Sequence, residues 1–92
     1  MKKITWFYLE DCPYCKNAKK ALAELKEENP AYKDVEIDFI EENAHPDIVD
    51  KYDYHAVPCL WIGDEKLYEA HLFEKYDETK ANVQRVLDAA LK

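Results

Sequence analysis

Apolar and polar positions change rhythm several times along the chain, and each change marks an element. Ile4-Thr5-Trp6-Phe7-Tyr8-Leu9 is apolar at nearly every position, the pattern of a strand buried on both faces. Glu10-Asp11-Cys12-Pro13 breaks it. Proline favours the first position of a helix, and Asp11 or Cys12 suits the cap before it. From there Cys15, Ala18, Leu22 and Leu25 recur at three- and four-residue spacing with Ala21 beside them, while Lys16, Lys19, Lys20, Glu24, Lys26 and Glu27 fill the rest. This predicts an amphipathic helix, stopped by Asn29-Pro30.

Val35, Ile37 and Phe39 alternate with Glu36 and Asp38, which reads as a second strand. Asn43 to Pro46 looks like a turn into a short helix carrying Ile48, Val49 and Tyr52. Val57-Pro58-Cys59-Leu60-Trp61-Ile62 is a third strand opening with proline, and Lys66 to Ala70 a fourth. Between them Gly63-Asp64, with the only glycine of the chain, makes a hairpin turn. Val83, Val86, Leu87, Ala90 and Leu91 mark a C-terminal helix. The order is β-α-β-α-β-β-α. Its first strand, helix and strand imply a parallel right-handed crossover, and the hairpin adds antiparallel strands to the same sheet. The fold class is α/β, a four-stranded mixed sheet flanked by three helices.

Ninety-two residues, 48% hydrophobic and 36% charged, suit a single domain over residues 1–92 rather than disorder. The net charge of −7 repels phosphate backbones and argues against a nucleic-acid partner. No run of about 18 apolar residues exists to span a membrane. Met1-Lys2-Lys3 is basic, but the apolar stretch behind it is short and runs into Glu10-Asp11, unlike a signal peptide. A cytoplasmic location and a monomer are expected. Three cysteines are too few for a disulfide scaffold.

Cys12-Pro13-Tyr14-Cys15 is the most informative stretch. Two intervening residues let both sulfurs lie close at a helix start, where free N–H groups and the macrodipole favour negative charge. The thiolate is the reactive form, and helix N-termini promote it. Cys12, at the helix end, is expected to be the nucleophile. Cys15, one turn inside and on the apolar face, is the expected resolving thiol. Lys16 and Lys19 would support the thiolate, and Glu10 and Asp11 would oppose it unless they turn to solvent. The competing uses of the pair are half a zinc site with Cys59, His45, His55 or His71, an inert disulfide, or coincidental core positions. No two of those partners form a second ligand pair, no metal is expected, and a Cys-x-x-Cys near a βαβ pattern reads as a redox motif. Val57-Pro58 is either a simple strand start or a cis peptide bond set against the redox helix, leaving the Val57 backbone free to pair with a substrate peptide.

With these residues in place the chain resembles a glutaredoxin, within the thioredoxin-fold superfamily. Cys12-Pro13-Tyr14-Cys15 is the glutaredoxin form of the motif, Ala18-Lys19 follow on the helix, and Val57-Pro58 fall where the family has its cis-proline. The resemblance implies that Cys12 attacks a disulfide or a glutathionylated protein and that Cys15 resolves the mixed disulfide. It implies that Tyr14 flanks a glutathione site and that Val57, with Pro58 behind it, pairs through its backbone with glutathione. The expected co-substrate is glutathione, with no resident cofactor; the rival electron donor is a flavoprotein reductase. The chain also departs from the family. Leu9-Glu10-Asp11 precede the first cysteine where a basic residue is common, Ala56 stands where threonine is common, and Leu67-Tyr68-Glu69-Ala70-His71-Leu72 lack the family's Gly-Gly. A non-catalytic thioredoxin-fold binding module is the alternative from a different class.

Cys59 is expected as a small buried hydrophobe, with a third redox thiol as the rival. Trp6 and Trp61 are expected in the core, the histidines on the surface, and Tyr14 exposed.

Overall fold

A computed structural model describes residues 1–92. Four strands, β1 (Ile4–Tyr8), β2 (Ile37–Glu41), β3 (Cys59–Ile62) and β4 (Glu65–Glu69), form one sheet in the order β2-β1-β3-β4. β1 pairs in parallel with β2 and antiparallel with β3, and β3 pairs antiparallel with β4. Three helices accompany them: α1 (Pro13–Glu28), α2 (Pro46–Val49) and α3 (Tyr76–Leu91). The expected mixed four-stranded sheet with three helices is therefore present.

Strand alternation divides the interior in two. Ile4, Trp6 and Leu60 face α1 and α3, where they pack on Ala18, Leu22, Leu25, Val83, Val86 and Leu87. Phe7, Cys59 and Trp61 face the other way, under Ile48, Val49, Tyr52 and Tyr54. A central strand covered on both faces explains why Ile4 to Leu9 shows no alternation. Small Ala18 and Ala21 are both buried on α1, and Ala18 packs in the cluster that holds Ile4 and Trp6.

The boundaries differ from the sequence pattern in ways that have local causes. Asn29 does not only end α1; its Oδ1 accepts from the Ala31 N–H at 3.1 Å and caps a 3₁₀ turn, Pro30–Asp34. Val35 is buried at the end of that turn, so β2 starts two residues later than the alternation implied. Tyr52 lies just past α2 and packs edge-on against Phe7 and Trp61. α3 begins at Tyr76, well before its first buried aliphatic, because buried Thr79 occupies the preceding core position. β3 begins at Cys59 rather than Val57; the cis Val57-Pro58 bond precedes it, and the Pro58 carbonyl accepts from the Ala70 N–H at 3.0 Å. At the hairpin, Gly63 has φ +60° and Asp64 does not have positive φ, the pattern of a type II′ turn, whose first central position glycine fills. No helix is long and apolar enough to cross a membrane.

Leu87 is fully buried between α3 and the sheet. Leu87→Ala is predicted to cost about 2–5 kcal/mol of stability, measured from urea unfolding; a cost under about 1 kcal/mol would contradict its place in the core.

Candidate active site

The pairing pattern brings four chain segments to one end of the sheet. The C-terminal ends of β1, β2 and β4 and the start of β3 all lie there. They deliver Leu9–Cys12, Glu41–Asn43, Ala70–Phe73 and Val57-Pro58 respectively.

Cys12 is the N-cap of α1, with extended backbone (φ −90°, ψ 118°), and Pro13 takes the first helical position. The Cys15 N–H donates to Cys12 Sγ at 3.3 Å, so sulfur fills the role an oxygen plays in an ordinary N-cap. Cys12 Sγ also lies 3.7 Å from the Val57 carbonyl oxygen, to which its thiol donates. Cys12 is partly exposed, whereas Cys15 is only 2% exposed. The Leu9 N–H points at Cys15 Sγ from 3.5 Å. Burial, and after it the contact with Cys12, pushes the Cys15 thiol well above its ordinary range. One spacing therefore yields two unlike thiols: a capping sulfur at the surface and a protonated one beneath it. Both are free.

The surroundings of Cys12 are acidic. Glu10, Asp11, Glu41, Leu9 and Asn43 line a cleft of about 230 Å³ that has Cys12 as a wall. Glu10 and Asp11 are exposed. Glu41 is fixed, since Oε1 accepts from the Asn43 and Ala44 N–H groups at 2.6 and 3.1 Å and Oε2 from the Glu10 N–H at 3.3 Å. The expected support from Lys19 is corrected by the structure. Its ammonium sits 3.6 Å from the centre of the Tyr8 ring and 5.6 Å from that of Phe39, a cation–π placement that commits it to the aromatic faces. Lys16 is exposed and makes no ion pair.

Tyr14 is half-buried rather than exposed, and its hydroxyl accepts from the Phe73 N–H at 2.7 Å. The contact holds Phe73, whose φ of 65° lies in the left-handed region, where a non-glycine residue is uncommon. Leu72 and Phe73 are 76% and 86% exposed beside the site. The sequence reading missed this pair, although two adjacent apolar residues outside every periodic segment were a visible signal. It also missed Glu69, whose Oε2 accepts from the His55 and Ala56 N–H groups at 2.6 and 2.7 Å. Burial opposes the Glu69 charge, but Lys66 and these two amides outweigh it and hold the carboxyl below its ordinary range. The Glu69 carboxylate thereby fixes the loop that leads into Val57. No signal in the sequence marked it.

Cys59 is fully buried, accepts from Trp61 Nε1 at 3.1 Å, and is pushed up to about 12 by burial. It sits on the opposite face of the sheet from α1, as a core residue. His71 is exposed and held by Glu78 at 2.5 Å; that carboxylate, and then the Leu72 carbonyl, raise its proton affinity. His45 and His55 are exposed.

A sheet of this order, with a capping Cys-x-x-Cys at the start of its first helix and a cis-proline facing it, defines a thioredoxin-fold protein. Thioredoxin 1 from the thermophilic eubacterium Thermosipho africanus TCF52B has a similar structure, with a TM-score of 0.58 at 17% identity, over 98% of this chain and 99% of that one. The glutaredoxin family profile matches residues 3–67. The chain belongs to the glutaredoxin family, whose chemistry is thiol–disulfide exchange. No curated protein sequence matches it.

The burial contrast predicts that brief alkylation of native, reduced protein near pH 7.5 adds one group, at Cys12, with Cys15 and Cys59 labelled only after unfolding. Two rapidly labelled thiols would contradict it. Because the folded Cys59 value of about 12 lies above the ordinary 9.0, the fold favours the protonated thiol. That contribution is complete below pH 9.0 and is lost as pH rises toward about 12, so the unfolding midpoint should fall across that range.

Proposed function

We propose that this chain reduces disulfides in proteins through Cys12 and Cys15. The observation that carries the proposal is the Cys15 N–H directed at Cys12 Sγ at the start of α1, with Cys15 Sγ buried beneath it. That amide donates to the sulfur of Cys12, and the start of a helix is a place that suits an anion.

The Cys12 thiolate attacks one sulfur of a substrate disulfide. A Cys12–substrate bond forms, the substrate S–S bond breaks, and the departing sulfur leaves with the electron pair and takes a proton from water. Cys15 then loses its proton and attacks Cys12 Sγ, forming the Cys12–Cys15 disulfide and expelling the second substrate sulfur as a thiolate, which is protonated in turn. Two electrons and two protons have passed to the substrate. Two thiols from glutathione, or the dithiol of a flavoprotein reductase, return the pair to the reduced state. Mixed disulfides with glutathione are resolved by the same two steps.

Val57 is the proposed docking edge. Its carbonyl lies beside Cys12, its N–H has no partner within the chain, and buried Pro58 behind it keeps it out of the ladder. A substrate backbone laid there as an added strand would bring its sulfur to Cys12. Tyr14 would border the bound segment through the Phe73 contact. The proposal places the protein in the reducing cytosol, where such pairs are kept reduced, acting as a monomer and without a resident cofactor.

Cys12→Ser should reduce turnover of a peptide disulfide to background, measured as NADPH consumption coupled either to glutathione and its reductase or to a thioredoxin reductase. The faster coupling identifies the donor. Cys15→Ser should still attack and accumulate a covalent Cys12–peptide adduct, visible by mass. Turnover that survives Cys12→Ser would refute the assignment of the nucleophile, as would an adduct on Cys59.

A further inference from the structure

The fixed charges around the sulfur address which disulfides this site selects. The cleft walled by Cys12 is lined by Glu10, Asp11 and Glu41 and by no cationic residue. Acidic residues alone would say nothing about a ligand; here they share a cleft with the proposed reacting atom, so any group attached to the attacked sulfur on that side lies among them. The strand order puts this cleft on the β2 side of Cys12.

The cations that could offset it are placed elsewhere. Lys19 is held over Tyr8, and His71 on the far flank is engaged by Glu78. The residues next to His71, Leu72 and Phe73, are apolar and exposed. Lys16, in the first turn of α1, has no ion-pair partner and does not line the cleft. Three backbone amides hold the two oxygens of Glu41 in place. A substrate with a carboxylate in this cleft meets like charge, and one with an ammonium or guanidinium meets opposite charge.

We infer that the Cys12 site selects disulfides carried by polypeptide segments with a Lys or Arg side chain next to the reactive cysteine, and disfavours anionic disulfides such as oxidised glutathione. Glu10, Asp11 and Glu41 are its specificity residues. The inference rests on the exchange chemistry proposed above. The bonds made and broken are the same; only the charge beside the attacked sulfur differs.

The test uses three peptides identical except for Arg, Ala or Glu beside a single cysteine, each disulfide-bonded to 2-mercaptoethanol, with oxidised glutathione as a fourth probe. Reduced protein is mixed with each, and the rate of the first exchange is followed by acid quench and mass. The Arg peptide should react about tenfold faster than the Glu peptide, with Ala between them, a span in keeping with electrostatic steering. Oxidised glutathione should group with the Glu peptide. The span should shrink toward unity in 1 M salt, where the Debye length falls to about 3 Å. It should also shrink in Glu10→Gln/Asp11→Asn, two exposed positions whose far-UV dichroism should match the parent. Equal rates on all probes would overturn the selectivity and leave the exchange chemistry standing. An Arg preference that persists in the double variant would overturn the role of Glu10 and Asp11. No exchange with any probe would overturn both the chemistry and the selectivity.

Discussion

The backbone N–H of Cys15 donates to the sulfur of Cys12, so the atom that caps the first helix is also the atom the proposed chemistry needs exposed. An N-cap stands outside the helix, and its side chain takes the N–H of the residue two or three positions on. That geometry places Cys12 at the rim of the sheet and Cys15 on the face that α1 buries with Ala18, Leu22 and Leu25. Packing of the helix then makes the two thiols different. The buried one favours its protonated form, and the capping one faces an amide. Pro13 fits because the first helical position lacks an N–H partner in any case.

The other parts of the site reach the cap because of strand direction. Three strands end and one begins at the same end of the sheet. The Val57 carbonyl is fixed near the sulfur by a loop whose His55 and Ala56 amides are anchored on Glu69, across the hairpin. On the β4 side, Tyr14 of the redox motif holds the segment after β4 through the Phe73 N–H. On the β2 side, Glu41 ties the loop after β1 to the loop after β2. Each tie runs from a side chain to a backbone N–H, so side chains of one segment position the main chain of another.

Much of this was legible in the order of residues. β1, α1 and the hairpin follow from apolar periodicity and from Asn29-Pro30 and Gly63, since burial and backbone restriction leave their marks locally. The placement of Cys12 at the cap and of Cys15 on the buried face was legible for the same reason: both depend on a helix start and its buried face. What escaped was non-local. Whether Glu10 and Asp11 face a cleft with Glu41 depends on the parallel pairing of β1 with β2, and Glu69 gains its function only when the hairpin folds beside His55 and Ala56. Lys19 looked like support for Cys12 on helical spacing; the nearby Tyr8 and Phe39 rings, on two strands, draw its ammonium to themselves. Tyr14 looked exposed because its partner, Phe73, lies far along the chain.

The central claim is that the helix cap, not the number of cysteines, decides which sulfurs react. Mapping the disulfide formed when fully reduced protein meets one equivalent of diamide tests it most directly, by digestion and mass. The account predicts a single intramolecular bridge, Cys12–Cys15, with Cys59 recovered as a thiol. A bridge that includes Cys59, or a protein dimer joined through Cys12 with Cys15 still reduced, would contradict it.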